Sequence, residues 1–196
     1  MRFPATLLAL CLPVTLSGQA RYTATVGLTA GTSLVEDQIF QTVRVGQKLA
    51  PTATLGVSLP VSERERAGLE VALGFGRTRI RETGLPDADG PGYRTLSVTG
   101  GVEGPIIDRL SLRGGAGILK YLPDDAGIFR GGGPLLFLLT GGADYRLPMR
   151  GSIGLVARLR YDYQRFSTSA LETAGFARSQ DVHRLGFGLG VEYTSP

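Results

Sequence analysis

Few residues in this chain could do chemistry, and their spacing argues against most of it. The only histidine, His183, is followed by Arg184 and Leu185, with no serine or cysteine beside it. A nucleophile–base pair therefore lacks its nucleophile. Glu70 and Glu103 could be offered as a general acid and base. Both fall on the polar face of alternating segments rich in arginine, which predicts structural ion pairs instead. Asp87 with Asp89, and Asp124 with Asp125, sit among Gly and Pro without the spacing of a calcium loop, and read as turn residues. Gly131-Gly132-Gly133-Pro134 lacks the lysine and following helix of a phosphate loop. No catalytic, cofactor-binding or metal-binding residue is expected, and the chain is read as a non-enzyme.

The composition points to β-structure. Gly occurs 29 times in 196 residues, Trp is absent and Cys11 is the single cysteine, so no disulfide scaffold is available. The net charge of +4 comes almost wholly from arginine, and no concentrated basic face with interleaved aromatics suggests a nucleic-acid partner. No run approaches the ~18 apolar residues of a membrane-spanning helix. Residues 1–20 read as a secretory signal peptide: Arg2, then an apolar stretch from Phe3 to Val14, then Gly18-Gln19-Ala20 as a small-x-small cleavage site. Leu10 is too bulky for a lipoprotein signal at Cys11, so Cys11 is expected to leave with the leader. Residues 21–196 form the expected mature domain.

Three stretches of that domain look alike, around Leu59-Pro60, Gly104-Pro105 and Leu147-Pro148, each a turn entered from one strand and left by another. The unit is a strand pair with one short and one long connection. Four units give eight strands, which joined up-and-down can close into a barrel. Strict alternation supplies the strands. The clearest is the last, with Leu185, Phe187, Leu189, Val191 and Tyr193 on one face and Arg184, Gly186, Gly188, Gly190 and Glu192 on the other. Tyr22–Leu28, 53–61, Leu69–Phe75, 93–104, 110–121, 134–146 and Ile153–Tyr163 complete the set. Val43 and Val45 suggest an upward extension of the second strand past a bulge at Pro51. Leu135–Leu139 is apolar on both faces and so the least regular.

One apolar and one polar face fit either a soluble lipocalin-like barrel or a membrane barrel turned inside out. The polar face decides, because it is mainly Gly, Ser and Thr where a soluble exterior needs long hydrated side chains. Small residues instead suit the narrow lumen of eight strands. By parity the inward charges are Glu70, Glu103, Asp144, Asp162 and Glu192 against Arg113, Arg146, Arg158, Arg160 and Arg184, which predicts an ion-paired interior. Tyr22, Tyr145 and Tyr193 at one rim, with Tyr161 and Tyr163 towards the other, would form aromatic girdles around the apolar band. Tyr93 and Tyr121 fall on the inward parity and stand outside that pattern. Arg77, Arg79 and Arg81 alternate outward where the third strand reaches the far rim. They would keep the strand end in water, or else hold lipid phosphates through the two-pronged guanidinium.

The leader, the Gly56-Val57-Ser58-Leu59-Pro60-Val61-Ser62 hairpin entry and the closing strand Arg184–Tyr193 together resemble the small outer-membrane β-barrel proteins of the OmpA-membrane-domain and OmpX-like group. The resemblance implies an all-β, eight-stranded antiparallel up-and-down transmembrane barrel in the bacterial outer membrane. Its partners would be outer-membrane lipids and the barrel-insertion machinery that reads such a closing strand, and the chain would be a monomer. Deacylases with this architecture carry a serine two residues after a histidine, where Leu185 stands here. No peptidoglycan-binding domain is expected after Tyr193. Two roles remain open: a structural or interaction protein displaying loops around 31–47, 81–92, 122–133 and 166–180, or a narrow channel or carrier for a small solute.

Overall fold

The computed structural model describes residues 19–37, 43–124, 133–149, 151–167 and 180–196. The expected leader up to Gly18, Asp125, Gly131-Gly132 and most of the 166–180 loop lie outside these residues. Ten strands form: β1 (Arg21–Gly31), β2 (Val35–Asp37), β3 (Val43–Gln47), β4 (Ala50–Pro60), β5 (Arg66–Glu82), β6 (Ala88–Ile107), β7 (Leu110–Pro123), β8 (Leu135–Pro148), β9 (Ile153–Phe166) and β10 (Gln180–Thr194). Eight of them close a ring in chain order, β1-β4-β5-β6-β7-β8-β9-β10, with every neighbour antiparallel.

The ring closes where β1 meets β10, from Arg21 opposite Thr194 to Gly31 opposite Arg184. Glycine permits the close approach there. A Cβ at Gly190 would lie 1.9 Å from the Ala24 carbonyl oxygen, and one at Gly27 would lie 2.1 Å from that of Phe187. Closure pairs β1 with β10 along the seam, so the eight-stranded ring itself has no open edge; among the described strands β2, paired with β3 alone, stands at one.

Alternation then sorts the side chains. Val26, Leu55, Leu69, Phe75, Phe137, Phe187 and Leu189 are all more than half exposed on the outer surface. Thr25, Thr54, Thr95, Ser97 and Thr99 are buried inside. An apolar exterior around a polar interior is the arrangement lipid requires and water does not. Among the described residues no helix is long and apolar enough to cross a membrane; the crossing is made by strands.

One end of the barrel carries the tight turns. Ser62–Glu65 is closed by the Glu65 amide donating to Ser62 Oγ at 3.0 Å, Asp108-Arg109 joins β6 to β7, and Gly151 takes φ +73° between β8 and β9. The sequence placed these turns around Leu59-Pro60, Gly104-Pro105 and Leu147-Pro148. The middle one lies later than expected because β6 runs on to Ile107 through a bulge after Pro105.

The opposite end differs more. The expected 81–92 loop shrinks to residues 83–87, since β5 and β6 continue pairing as far as Ile80 opposite Ala88, with Gly84 at φ +85° in the turn. Within 31–47, β3 pairs with the upper half of β5 above β4, as Val43 and Val45 suggest. The break falls at Lys48-Leu49, not at Pro51, which stays paired with Leu28. The short strand β2 folds back onto β3 and was not anticipated.

Candidate functional site

Among the described residues, the lumen is where polar groups from all eight ring strands converge, and it is built in layers. Nearest the tight turns lies a network of arginines and carboxylates. Glu70, only 5% exposed, is its hub: Arg113 and Arg158 donate to its Oε2 at 2.6 and 2.5 Å, and Arg160 donates to Oε1. Arg158 also grips Asp144 with two bonds of 2.8 Å. Arg146 bridges Glu103 and Glu192, each at 2.8 Å, and Arg160 Nε reaches Asp162 at 2.7 Å. These groups come from β5, β6, β7, β8, β9 and β10, and the bonds to Glu70 and from Arg146 to Glu103 and Glu192 tie together strands far apart in the chain.

Two cations join that the parity count missed. Arg21, from β1, donates to Glu103 at 2.8 Å and approaches Glu192 at 3.2 Å. Arg66, at the start of β5, lies 3.8 Å from Glu103 and donates to the Gln19 and Ser58 carbonyls. Both occupy the first position of a strand, where alternation has only one neighbour to work from. The expected balance of five acids and five bases is therefore corrected to five and seven. Arg184 is inward and buried as expected, but among the described residues it makes no ion pair within 4 Å.

Above the charges comes the layer of threonine and serine hydroxyls, and above that an apolar plug. Leu34 and Val35 from the β2 segment, Val45, Tyr93, Leu119, Tyr121, Leu138, Phe166 and Val182 form one cluster, each at most 4% exposed. Tyr121 packs edge-on against Phe166 at 5.4 Å and lies 5.5 Å from Tyr93. Their hydroxyls are satisfied inside, Tyr93 Oη donating to Gln47 Oε1 at 2.9 Å and Tyr121 Oη accepting from Gln164 Nε2 at 2.6 Å. Tyr93 and Tyr121 thus hold their inward parity without any bulge and serve as plug, not girdle. The apolar inner positions of β8 have the same explanation: Leu138 is in the plug and Leu136 packs against it.

Outside, Tyr22 and Tyr193 sit opposite each other across the seam and stack at 6.3 Å, with Tyr145 on the same face. Towards the other rim, Tyr161 Oη meets His183 Nδ1 at 2.6 Å and Tyr163 Oη donates to Asp181 at 2.7 Å. His183 is exposed, with Tyr161 and Tyr163 as ring neighbours at 6.0 and 5.4 Å. Arg77, Arg79 and Arg81 are exposed on the outer face beyond this level. Arg81 holds Asp87 with two bonds of 3.1 Å and Arg79 lies 3.8 Å from the same carboxylate, while Arg77 makes no ion pair within 4 Å among the described residues. The hydrogen bond from Arg81 holds the Asp87 carboxyl below its ordinary value. Among the described residues no group of three His, Cys, Asp or Glu side chains is placed to hold a metal.

A closed eight-stranded barrel with an apolar exterior, aromatic residues towards both ends and a charged, plugged lumen is a transmembrane β-barrel. No protein-family model and no curated protein sequence matches the chain. Solved structures do match. The outer membrane protein OprG from Pseudomonas aeruginosa aligns at a TM-score of 0.51 and 14% identity, over 90% of this chain and 95% of OprG. Neisserial surface protein A (NspA) aligns at 0.53 and 12%, over 89% of this chain and 96% of that one. At these identities the likeness is one of fold: the chain has the fold of the small outer-membrane barrels.

Proposed function

We propose that the protein is a resident of the bacterial outer membrane whose role is structural or interactive: a rigid body that holds its rim in place, and not a conduit. The single observation carrying this reading is the filled lumen. Salt bridges cross-link the lower half, and Leu34, Val35, Tyr93, Tyr121, Leu138 and Phe166 close the upper half. The cavities left are small, about 50 Å³ within the salt-bridge network and about 30 Å³ between the network and the plug, each room for a few waters at most. An eight-stranded barrel has little internal width to begin with, and here side chains occupy it.

The experiment is fractionation combined with protease accessibility. The protein should sediment with outer membranes and migrate anomalously on gels unless boiled. A protease site inserted at Gly84-Leu85 should be cut in intact cells, and one at Ser62-Glu63 should be protected, because Gly84-Leu85 shares its end of the barrel with the longer connections, 32–49, 124–134 and 167–179, and the longer connections of such barrels face outward. Recovery of the protein from the soluble periplasmic fraction without detergent, or equal cleavage at both sites, would reject the assignment.

The outer rim is the surface this reading offers to lipids. With Arg79 and Arg81 sharing Asp87, two of the three guanidiniums are partly neutralised, and Arg77 is the one best placed to engage a phosphate of an anionic outer-leaflet lipid. Replacing Arg77, Arg79 and Arg81 together with Gln should reduce anionic lipid co-purifying with the barrel and leave folding in neutral detergent unchanged. Unaltered lipid content in the triple variant would reduce these arginines to hydrated rim residues.

A further inference from the structure

Seven inward arginines face five inward carboxylates, and the surplus is localised. Arg21, Arg66, Arg113, Arg146, Arg158 and Arg160 each come within 4 Å of a carboxylate. Arg184 does not. It stands opposite Asp162 in the β9–β10 register, but Asp162 Oδ1 is engaged by Arg160. Only 6% of Arg184 is exposed, and among the described residues it has no hydrogen-bond acceptor. Arg160 Nη2 is likewise buried without an acceptor among the described residues. A buried guanidinium with no counter-charge is costly, so a partner of opposite charge is strongly favoured.

Both arginines line the cavity of about 30 Å³ beneath the plug, together with Thr52, Thr54 and Thr95, and Leu119 closes it from above. Gly74 keeps the space open: a Cβ there would lie 2.6 Å from Thr95 Oγ1 and 3.7 Å from Arg184 Nη2. The walls offer cationic N–H donors and rotatable hydroxyls that can turn their protons inward, and they set the two guanidiniums against a single carboxylate, Asp162, which Arg160 already engages.

We propose that this cavity is a binding site for a small monovalent inorganic anion of chloride's size. The volume of about 30 Å³ suits one such ion and excludes phosphate esters or organic acids. The bound anion supplies the counter-charge that Arg184 lacks and completes the electrostatic layer between the salt-bridge network and the apolar plug. Its contribution is to the stability of the folded barrel, since an ion that binds only the folded state shifts unfolding by mass action.

Two measurements on the full barrel in neutral detergent test this. Crystals grown in bromide should show an anomalous peak within hydrogen-bond reach of Arg184 and Arg160. In urea titrations at constant ionic strength, exchanging gluconate for chloride should raise the unfolding midpoint saturably, and Arg184→Met should abolish that response. Should Arg184→Met not fold, Gly74→Ala decides, because its methyl group intrudes on the cavity while every charge remains; it should blunt the chloride response. Absence of bromide beside Arg184, or the same chloride dependence in the wild type and the variant, overturns the proposal.

Discussion

Replacing Glu70 with Gln is expected to destabilise the folded barrel by about 3–5 kcal/mol, the cost of removing one partner from a buried ion pair. The effect is large because a single carboxylate serves three guanidiniums, those of Arg113, Arg158 and Arg160. Asp144 remains beside Arg158 and Asp162 beside Arg160, but neither can replace the lost charge at the centre of the cluster. Urea-induced unfolding in lipid vesicles measures the change. Glu63→Gln, in an exposed turn, serves as the control and should move the midpoint little. Equal stability of the two variants would show that the network contributes packing alone.

The second large effect lies on the outer face. Leu189→Arg should cost about 2–4 kcal/mol, as charges do at the bilayer midplane of a β-barrel. The position follows from the register. From Tyr193 to His183, the level of Tyr163, β10 runs ten residues, or about 26 Å along the membrane normal at a rise of ~3.4 Å and a tilt of ~40°. Leu189 falls near the middle of that span. Leu155 does not: it lies two residues from Ile153, which pairs with Tyr193, so Leu155→Arg can reach the interface and should cost markedly less. Alternation alone makes the two leucines equivalent, and only the register separates them. Equal penalties at both positions would mean that the apolar band is placed wrongly along the strands.

The contrast between those leucines illustrates what was legible in the sequence. A period of two assigns a side chain to a face, and it did so correctly for the strands from Tyr22 to Tyr193. It carries no information on height, and it weakens wherever a strand starts or leaves the membrane. Arg21 and Arg66 escaped notice at strand starts, and the pairing of Arg79 and Arg81 with Asp87 could not be seen while 81–92 read as a loop. The plug was foreshadowed by residues that broke the pattern. Tyr93 and Tyr121 stood on the wrong parity for a girdle, and β8 was apolar on both faces. Each is an inward apolar residue in a lumen otherwise polar, and together they mark where the lumen closes. The missing half of the plug, Leu34 and Val35, depends on a three-residue strand folding back on β3, a long-range event with no local periodicity.

The absence of a through-path is the central claim, and single-channel recording in a planar bilayer tests it most directly. Purified, refolded barrel should insert without producing steady conductance above the bare membrane, because the salt-bridge layer and the plug both block the axis. Steady currents that persist after shortening of the outer connections would contradict this account and make the protein a channel.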